Sequence, residues 1–371
     1  MTKARYLMIG GFLGAGKTTA VARLARHLTA HGQRVGLITN DQGSELVDTA
    51  MLRSRGFATE EIPGGCFCCR FNSLVDAADK LTAASRPDVF IAEPVGSCTD
   101  LVATVTYPLR RIYGAQYSIA PLSVLVDPVR AERVLGLADG GSFSPKVVYI
   151  YRKQMEEADV IIINKADLLT VERRAALRRA LEKEFPRATV FEVSARTGEG
   201  LDAWFAHITA HDQHARQIMD VDYEVYADGE ALLGWLNATV QLSSGRGFNA
   251  NEVLQHLAEA MQARLRAAGA EIAHLKMTFS PEEGLGDIAV VNLVRSDFVP
   301  ELSQTLEEDA NAGQLIINCR AEAAPEALKA AVETAVQSSQ GAFAGLVASL
   351  DHLEHFRPGK PQPTHREQAV V

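Results

Sequence analysis

The sequence predicts an α/β protein, with a doubly wound, mostly parallel sheet followed by a smaller α+β domain. In the N-terminal half, short apolar segments that end in polar residues alternate with segments of helical periodicity. A glycine-rich turn joins the first apolar segment to the first helical one. Beyond residue 219 the pattern changes to strand, helix, two strands, helix and strand, which is typical of a ferredoxin-like unit.

These patterns divide the chain at two places. We predict a first domain at residues 1–218, a second at 219–350 and a flexible tail at 351–371, where proline and basic residues accumulate. In the second domain, Asn249 is expected to cap a helix that runs towards Gly269. The other elements expected there are strands at 235–242, 273–279, 288–294 and 314–319, a helix near 300–312 and a helix from Pro325.

The composition is that of an ordinary globular protein. The chain has 371 residues, of which 47% are hydrophobic and 22% are charged. A formal net charge of −9 argues against nucleic acid as the main partner. No apolar run is long enough to cross a bilayer, so we expect no membrane partner. Because the first strand starts close to the N-terminus, we expect no signal peptide and a cytoplasmic location.

The glycine-rich turn has the pattern G-x-x-x-x-G-K-T and lies between a strand at 5–9 and a helix at 19–28. In that context it predicts the phosphate loop of a P-loop NTPase, because backbone N–H groups there can surround a phosphate. Lys17 is expected to reach the β- and γ-phosphates, and the Thr18 hydroxyl to bind Mg²⁺. The predicted phosphate-binding residues are Gly11, Gly14, Ala15, Gly16, Lys17, Thr18 and Thr19.

Two further strands, at 34–39 and 88–92, lead into loops that carry acidic residues. Ligands of α/β sheets bind at the carboxyl ends of strands, so Asp41 and Glu93 are candidates for supporting Mg²⁺ or the attacking water. Asp41 is equally consistent with an ordinary turn residue. Gly96 is expected to offer its N–H to a γ-phosphate.

The strand at 160–163 ends in Asn164-Lys165-Ala166-Asp167, an N-K-x-D pattern that indicates recognition of a nucleotide base. The Asp167 carboxylate can accept hydrogen bonds from guanine N1–H and N2–H. Adenine lacks that pair of donors and would leave the carboxylate unpaired. The nucleotide is therefore expected to be GTP, and Ser194 and Ala195, after a strand that starts at Phe191, are expected to complete the base pocket.

Three of the five cysteines, Cys66, Cys68 and Cys69, lie within four positions. A helical turn would place Cys66 and Cys69 on one face. Three thiolates form a soft site for a transition metal such as Zn²⁺ or Co²⁺, while Ni²⁺ and iron are also compatible. Three ligands with an open fourth position suit a metal that is carried and handed on. A disulfide switch is the alternative interpretation, and Cys98 is best explained as a packed thiol.

A histidine row is the second metal-binding candidate. His207, His211 and His214 would share one face if the helix after Gly200 extended through them. A solvated helix surface explains the same pattern.

These motifs together resemble the CobW family of GTPase metallochaperones, which is related to the nickel-insertion GTPases UreG and HypB. The residues that carry the resemblance are the phosphate loop, the Glu61…Cys66-x-Cys68-Cys69 segment, Gln154…Asp159, Asn164–Asp167 and Ser194-Ala195. The chain has Asp41 where the family usually has glutamate, and it has altered residues between Glu93 and Gly96.

The resemblance implies that Mg-GTP binds the phosphate loop and the Asn164–Asp167 motif, and that a transferable metal binds Cys66, Cys68 and Cys69. It implies a client metalloprotein or metalloenzyme, and it leaves open a homodimer in the GTP state. An alternative is a GTP switch that gates a partner metalloenzyme or a cobalamin-type cofactor enzyme, with structural or redox cysteines. An ATP-dependent kinase or partitioning ATPase is disfavoured by Asn164–Asp167.

Overall fold

A parallel sheet with helices around it forms the first of two compact units. The computed structural model describes residues 3–40, 52, 56–214, 216–283 and 286–368. Within these, the first unit takes in residues 3–40, 56–229 and 360–368, and the second takes in residues 230–359 apart from 284 and 285. The first unit thus extends beyond the predicted boundary at 218, and it also includes the end of the chain.

The described strands of the first sheet all pair in parallel. Their order is β3-β2-β4-β1-β6-β7-β8, and β5 pairs with the beginning of β1. The strands β1, β2, β4, β6 and β7 are almost wholly buried and apolar, as expected for a parallel sheet covered on both faces. The strands are β1 (Ala4–Gly11), β2 (Val35–Asn40), β3 (Thr59–Ile62), β4 (Val89–Glu93), β5 (Tyr117–Ile119), β6 (Ser123–Val126), β7 (Val160–Ile163) and β8 (Thr189–Glu192).

The helices between these strands follow from the apolar periodicity and from local caps. Asp127 and Thr170 cap α4 and α6 by accepting hydrogen bonds from backbone N–H groups of the first turn. A π-helical turn over Val102–Thr106 precedes α3, and a 3₁₀ turn covers Ala166–Leu168. The helices are α1 (Lys17–Ala30), α2 (Phe71–Ser85), α3 (Tyr107–Tyr113), α4 (Pro128–Val134), α5 (Pro145–Glu157), α6 (Val171–Glu184), α7 (Leu201–Ala210) and α8 (Tyr223–Leu232).

The sheet order places the carboxyl ends of β1, β4 and β6 side by side, since β1 lies between the other two. Glu93 at the end of β4 and Asp127 just after β6 therefore lie on the two sides of the turn that follows β1. This edge of an open parallel sheet is where ligands bind. The predicted doubly wound α/β fold is confirmed.

In residues 230–359 as far as they are described, the second unit is an antiparallel sheet with order β12-β11-β10-β13-β9-β14, against which the helices α9 and α10 pack. The helices and the sheet share one apolar core that includes Leu257, Met277 and Val332. β13 lies between β9 and β10, which is the split β-α-β arrangement of a ferredoxin-like unit. The elements are β9 (Leu233–Phe248), α9 (Ala250–Ala267), β10 (Glu271–Pro281), β11 (Ala289–Leu293), β12 (Glu301–Gln304), β13 (Ala310–Glu322), α10 (Pro325–Ala342) and β14 (Leu346–Phe356).

The predicted cap of α9 is confirmed, because the Asn249 side chain accepts a hydrogen bond from Glu252 N at 3.1 Å. The predicted helix near 300–312 is wrong. Those residues form the edge strand β12, a turn and the start of β13. Pairing of Leu302 with Val291 of β11 outweighs the helical preference of this alanine- and glutamate-rich stretch.

The tail does not begin at residue 351 as expected. Residues up to Phe356 belong to β14, which pairs with β9 along most of its length. Much of β14 is exposed, so it lacks the apolar alternation that identifies a half-buried strand. Residues 360–368 then lie against the first unit.

Among the described residues, no helix combines the length and the apolar character needed to cross a membrane.

Candidate nucleotide and metal site

The turn after β1 has the backbone that a phosphate loop requires. Gly11, Gly14 and Gly16 have φ values of 129°, 78° and 90°, which a residue with a side chain rarely adopts. A Cβ atom at Gly16 would lie 2.4 Å from Nδ2 of Asn164, so the loop is also packed too closely for a larger residue there. The turn leads directly into α1 at Lys17, and its N–H groups are thus available at a helix N-terminus.

Lys17 and Thr18 lie at the start of α1 and are both buried. Nζ of Lys17 donates to Gly11 O at 2.9 Å, so the ammonium group folds back over the loop. The Thr18 hydroxyl donates to Oε1 of Glu93 at 2.9 Å, across the gap between α1 and β4. A hydroxyl and a carboxylate oxygen in contact form a donor set of the kind that Mg²⁺ prefers.

Of the predicted residues Asp41 and Gly96, only Gly96 can be compared with the structure. Asp41 lies outside the described residues, but its neighbour Asn40 ends β2 and is buried. Gly96 lies against the phosphate loop, because a Cβ atom there would be 3.0 Å from Leu13 N.

The Asn164–Asp167 motif holds the phosphate loop from the other side. The Asn164 amide donates to Ala15 O at 2.8 Å and accepts from Ala195 N at 3.0 Å. Nζ of Lys165 donates to Gly14 O at 2.7 Å and pairs with Oδ2 of Asp127 at 2.8 Å. One motif thus ties three loops together.

The other two residues of the predicted base pocket differ in exposure. The Asp167 side chain is exposed in the 3₁₀ turn, as a carboxylate that recognises a base must be before the base binds. The Ser194 hydroxyl is buried and accepts from Thr197 N at 3.1 Å, so it shapes its own loop.

Sequence reasoning missed Arg130 in α4. Its guanidinium donates to Leu13 O of the phosphate loop at 3.1 Å and lies over the rings of Phe12 and Phe143, at 5.5 and 4.6 Å from their centres. Arg130 is buried, so it is a fixed positive charge behind the loop. The Asp-Pro-x-Arg sequence after β6 is the signal that could have drawn attention to it.

The three clustered cysteines lie in a single helical turn before α2. The N–H groups of Cys69 and Arg70 both donate to Cys66 O, at 3.0 and 2.9 Å. The Sγ atoms are 2.7 Å apart for Cys66 and Cys68, 3.2 Å for Cys66 and Cys69, and 3.7 Å for Cys68 and Cys69. The three sulfurs thus converge on one point, with Cys66 and Cys68 buried and Cys69 partly exposed.

The three thiols differ in pKa because they hydrogen-bond to one another. Hydrogen bonds from the thiols of Cys68 and Cys69 lower the pKa of Cys66 well below its usual value. The hydrogen bond to Cys66 raises the pKa of Cys68, and the same kind of bond raises that of Cys69 to about 11. The cluster therefore favours one thiolate, at Cys66, and a soft metal ion would have to displace the remaining protons.

The cysteine turn is connected to the ends of two strands. Nδ2 of Asn40, at the end of β2, donates to Gly65 O at 2.6 Å and to Ile62 O at 2.8 Å. Cys98, after β4, is buried, and its thiol contributes to the lowered pKa of Cys66. Among the described residues the sulfurs that converge are those of Cys66, Cys68 and Cys69, and the burial of Cys98 agrees with its interpretation as a packed thiol.

The segment that carries Cys98 is held by a buried glutamine. Nε2 of Gln154 in α5 donates to Gly96 O at 2.9 Å and to Cys98 O at 2.8 Å. One side chain therefore fixes both the glycine beside the phosphate loop and the cysteine beside the cluster.

The histidine row is not formed as predicted. Helix α7 ends at Ala210, so His211 is already extended and His214 lies beyond the helix. The rings of His207 and His211 stack with their centres 4.5 Å apart, and Nδ1 of His211 is 2.9 Å from His207 O. The row therefore lacks the common helical face on which the prediction depended.

The strand, phosphate loop and helix, with Lys17, Thr18 and Glu93 around them, define a P-loop nucleotide-binding protein. Residues 5–192 match the family model described as the CobW/HypB/UreG nucleotide-binding domain. This match covers more than half of the chain, and the protein belongs to that family.

Several characterised proteins are similar to part of this chain. The zinc chaperone YeiR of Escherichia coli (strain K12) is 31% identical over 175 residues, which cover 46% of this chain and 49% of YeiR. The zinc chaperone CobW of Sinorhizobium sp is 30% identical over 213 residues, which cover 52% of this chain and 59% of that protein. The chain thus spans about half the length of the curated relatives it matches.

Among solved structures, the Zn(II)-bound YjiA GTPase from E. coli is 15% identical, with a TM-score of 0.37 over 90% of this chain and 99% of that one. HypB from Helicobacter pylori, solved in complex with nickel, is 20% identical, with a TM-score of 0.41 over 56% of this chain and 91% of that one.

Proposed function

We propose that this protein is a GTP-binding and GTP-hydrolysing metallochaperone that binds a transition metal at Cys66, Cys68 and Cys69 and delivers it to a client metalloprotein. The observation that carries the proposal is the convergence of three sulfurs in a turn that hydrogen-bonds to the end of β2, in the same unit as a complete phosphate loop. Family membership and the similarity to proteins named zinc chaperones support it.

On the nucleotide side, the loop from Gly11 to Thr19 would hold the phosphates, with Lys17 neutralising their charge. Thr18 and Glu93 would hold Mg²⁺, which supplies charge stabilisation at the phosphates when bound. Asn164 and Lys165 would position the base-binding loops, while Asp167 would select guanine. Turnover should be slow without a partner, because no catalytic glutamine is evident among the described residues near the loop and Arg130 is already engaged with Leu13.

On the metal side, three thiols would supply three ligands of a tetrahedral site and leave one position for exchange. Zn²⁺ is the metal that the relatives favour, and Co²⁺, Ni²⁺ and iron are compatible with the same donors. The client would supply the fourth ligand and take the metal by ligand exchange. A cytoplasmic location and a homodimer in the GTP state belong to the same proposal.

The link between the two sites would run through the strand ends. Asn40 connects the end of β2 to Gly65, and the segment after Glu93 connects the end of β4 to Cys98. A nucleotide that orders these ends would therefore also order the cysteine turn, a switch of the order–disorder type. By linkage, metal and GTP should strengthen each other's binding by the same factor.

The test is a competition titration of Zn²⁺ against a chromophoric chelator, in GDP and in a non-hydrolysable GTP analogue. We expect tighter binding with the analogue, by about 1–3 kcal/mol, which is usual for coupled sites. Cys68→Ser should abolish tight binding, while Cys319→Ala, which changes a buried cysteine of the second unit, should leave it unchanged. Equal affinity in both nucleotide states would refute the coupled chaperone.

A second candidate is a GTP switch that gates a partner metalloenzyme or cobalamin-type cofactor enzyme, with redox-active cysteines. The sulfurs of Cys66 and Cys68 are 2.7 Å apart, and the pKa of Cys66 is lowered. These observations favour the redox switch, since low-pKa thiols beside a second thiol serve as redox sensors. Thiol counting by mass spectrometry after exposure to a graded glutathione redox buffer separates the two. A reversible disulfide under mild conditions together with weak zinc binding would favour the switch.

A further inference from the structure

The described end of the chain lies directly on the cysteine turn. We call residues 360–368 the C-terminal segment; it belongs to the first unit although it follows the second in sequence. Thr364 N donates to Cys68 O at 2.8 Å, and the Thr364 hydroxyl donates to Cys69 O at 3.1 Å. Gln362 N donates to Sγ of Cys69 at 3.2 Å. A residue far away in sequence thus makes a hydrogen bond to a sulfur of the cluster itself.

The segment is fixed on both sides of this contact. Lys360 forms an ion pair with Glu224 of α8. The ring of His365 packs edge-on against Phe71, the first residue of α2, with the ring centres 4.9 Å apart. Glu367 N donates to Ala103 O at 2.9 Å. These contacts keep the segment in register with the turn.

The strongest of these attachments is at Asp100. Its carboxylate is buried and accepts from Nε of Arg366 at 2.7 Å and from the Tyr223 hydroxyl at 2.7 Å. A buried carboxylate needs such a cation, because leaving it unpaired is costly. Asp100 lies two residues after Cys98, in the segment that follows Glu93. The C-terminal segment is therefore attached both to the cysteine turn and to the segment that leads from the Thr18–Glu93 contact.

We propose that the C-terminal segment is part of the metal site, where it covers the cysteine turn, donates a hydrogen bond to the Cys69 sulfur through Gln362 N–H and slows the loss of metal. This inference rests on the proposed function, because it concerns the same three-sulfur site. Hydrogen bonds to metal ligands from surrounding groups typically change metal affinity 10–100-fold. The segment also lies against Cys69, the partly exposed member of the three, so it would hinder a client or chelator that approaches this sulfur.

The sharpest test removes one hydrogen-bond donor. Gln362→Pro deletes the N–H that points at Cys69, while Gln362→Ala keeps it and serves as the matched control. Neighbouring residues 361 and 363 are already proline, so the extended backbone suits the substitution. Zn²⁺ affinity is measured by chelator competition and the release rate by stopped-flow transfer to the chelator, both on the full chain without nucleotide.

We expect Gln362→Pro to weaken zinc binding at least roughly tenfold and to speed release, with Gln362→Ala within about twofold of the wild type. Arg366→Gln should speed release as well, because it frees the segment from Asp100. Its control is Glu367→Gln, which removes only the ion pair of Glu367 with exposed Arg111. Circular dichroism and GTP binding confirm that each variant is folded.

Two results would overturn the inference in distinguishable ways. Gln362→Pro with wild-type affinity and release rate, while Cys68→Ser abolishes binding, would refute the role of the segment and leave the three-sulfur site intact. Unchanged zinc binding in Cys68→Ser would refute the three-sulfur site, and the proposed function with it.

Discussion

Replacing Glu157 by glutamine should stabilise the first unit, and the gain should grow with pH. Glu157 ends α5, is buried and accepts hydrogen bonds from the Thr99 hydroxyl at 3.2 Å and from Val102 N at 3.1 Å. Burial, followed by the charge of nearby Asp100, raises the pKa of Glu157 to about 8 from 4.5. Glutamine keeps the shape and the acceptor oxygen, but it carries no charge to bury.

The sign follows from proton linkage. Below pH 4.5 the carboxyl is protonated in both states, so it contributes no penalty. As the pH rises from 4.5 to about 8, the unfolded chain ionises first and folding becomes less favourable, after which the penalty is constant. Over the full interval, ionisation of Glu157 lowers the free energy of unfolding by about 5 kcal/mol, and between pH 6 and pH 8 it lowers it by roughly 2–3 kcal/mol.

The assay is urea unfolding at pH 6 and pH 8, in a Trp235→Phe background so that fluorescence reports Trp204 of the first unit alone. The stability difference between Glu157→Gln and its parent should increase by those 2–3 kcal/mol from pH 6 to pH 8. Glu156→Gln is the matched control, since that neighbouring carboxylate is partly exposed and pairs with Lys153. If the stability difference between Glu157→Gln and its parent is the same at both pH values, the raised pKa of the buried Glu157 carboxyl is refuted.

Three further predictions concern the nucleotide. Lys17→Ala should abolish GTP turnover, measured as phosphate release, because no other ammonium group starts α1; an unchanged rate would contradict the phosphate-loop assignment. Gly16→Ala should prevent binding of a fluorescent GDP analogue, since its Cβ would lie 2.4 Å from Asn164 Nδ2 at a φ of 90°; wild-type affinity would mean that the loop adapts. Asp167→Asn should weaken GTP binding and favour xanthosine triphosphate, because the new amide can donate to the xanthine carbonyl; a competition assay with no change in preference would place the base elsewhere.

The candidate site was largely predictable where its parts are contiguous in sequence. The phosphate loop, Asn164–Asp167 and Cys66, Cys68 and Cys69 are local motifs, in which glycine conformation and spacing already limit where the functional atoms can lie. The parallel strands were likewise visible, because strands buried on both faces are continuous apolar segments.

Other parts of the site depend on residues that are distant in sequence. Nothing in the local pattern connects Gln154 to Gly96 or to Cys98, and only the packing of α5 against the segment after β4 brings them together. The edge strands β12 and β14 escaped prediction for a related reason. Their residues are partly exposed, so pairing with neighbouring strands, which sequence periodicity does not report, decides their conformation.

The candidate chemistry of this protein is local in the sequence, because the phosphate loop, the N-K-x-D motif proposed to bind the base and the three clustered thiols each lie within a few residues. What surrounds these motifs depends on the folded chain. Gln362 lies 293 residues from Cys69 and Arg366 lies 266 residues from Asp100, in a polar segment with no periodic pattern. Both pairs meet only in the folded chain, and the carboxylate of Asp100 needs a donor because folding removes it from water.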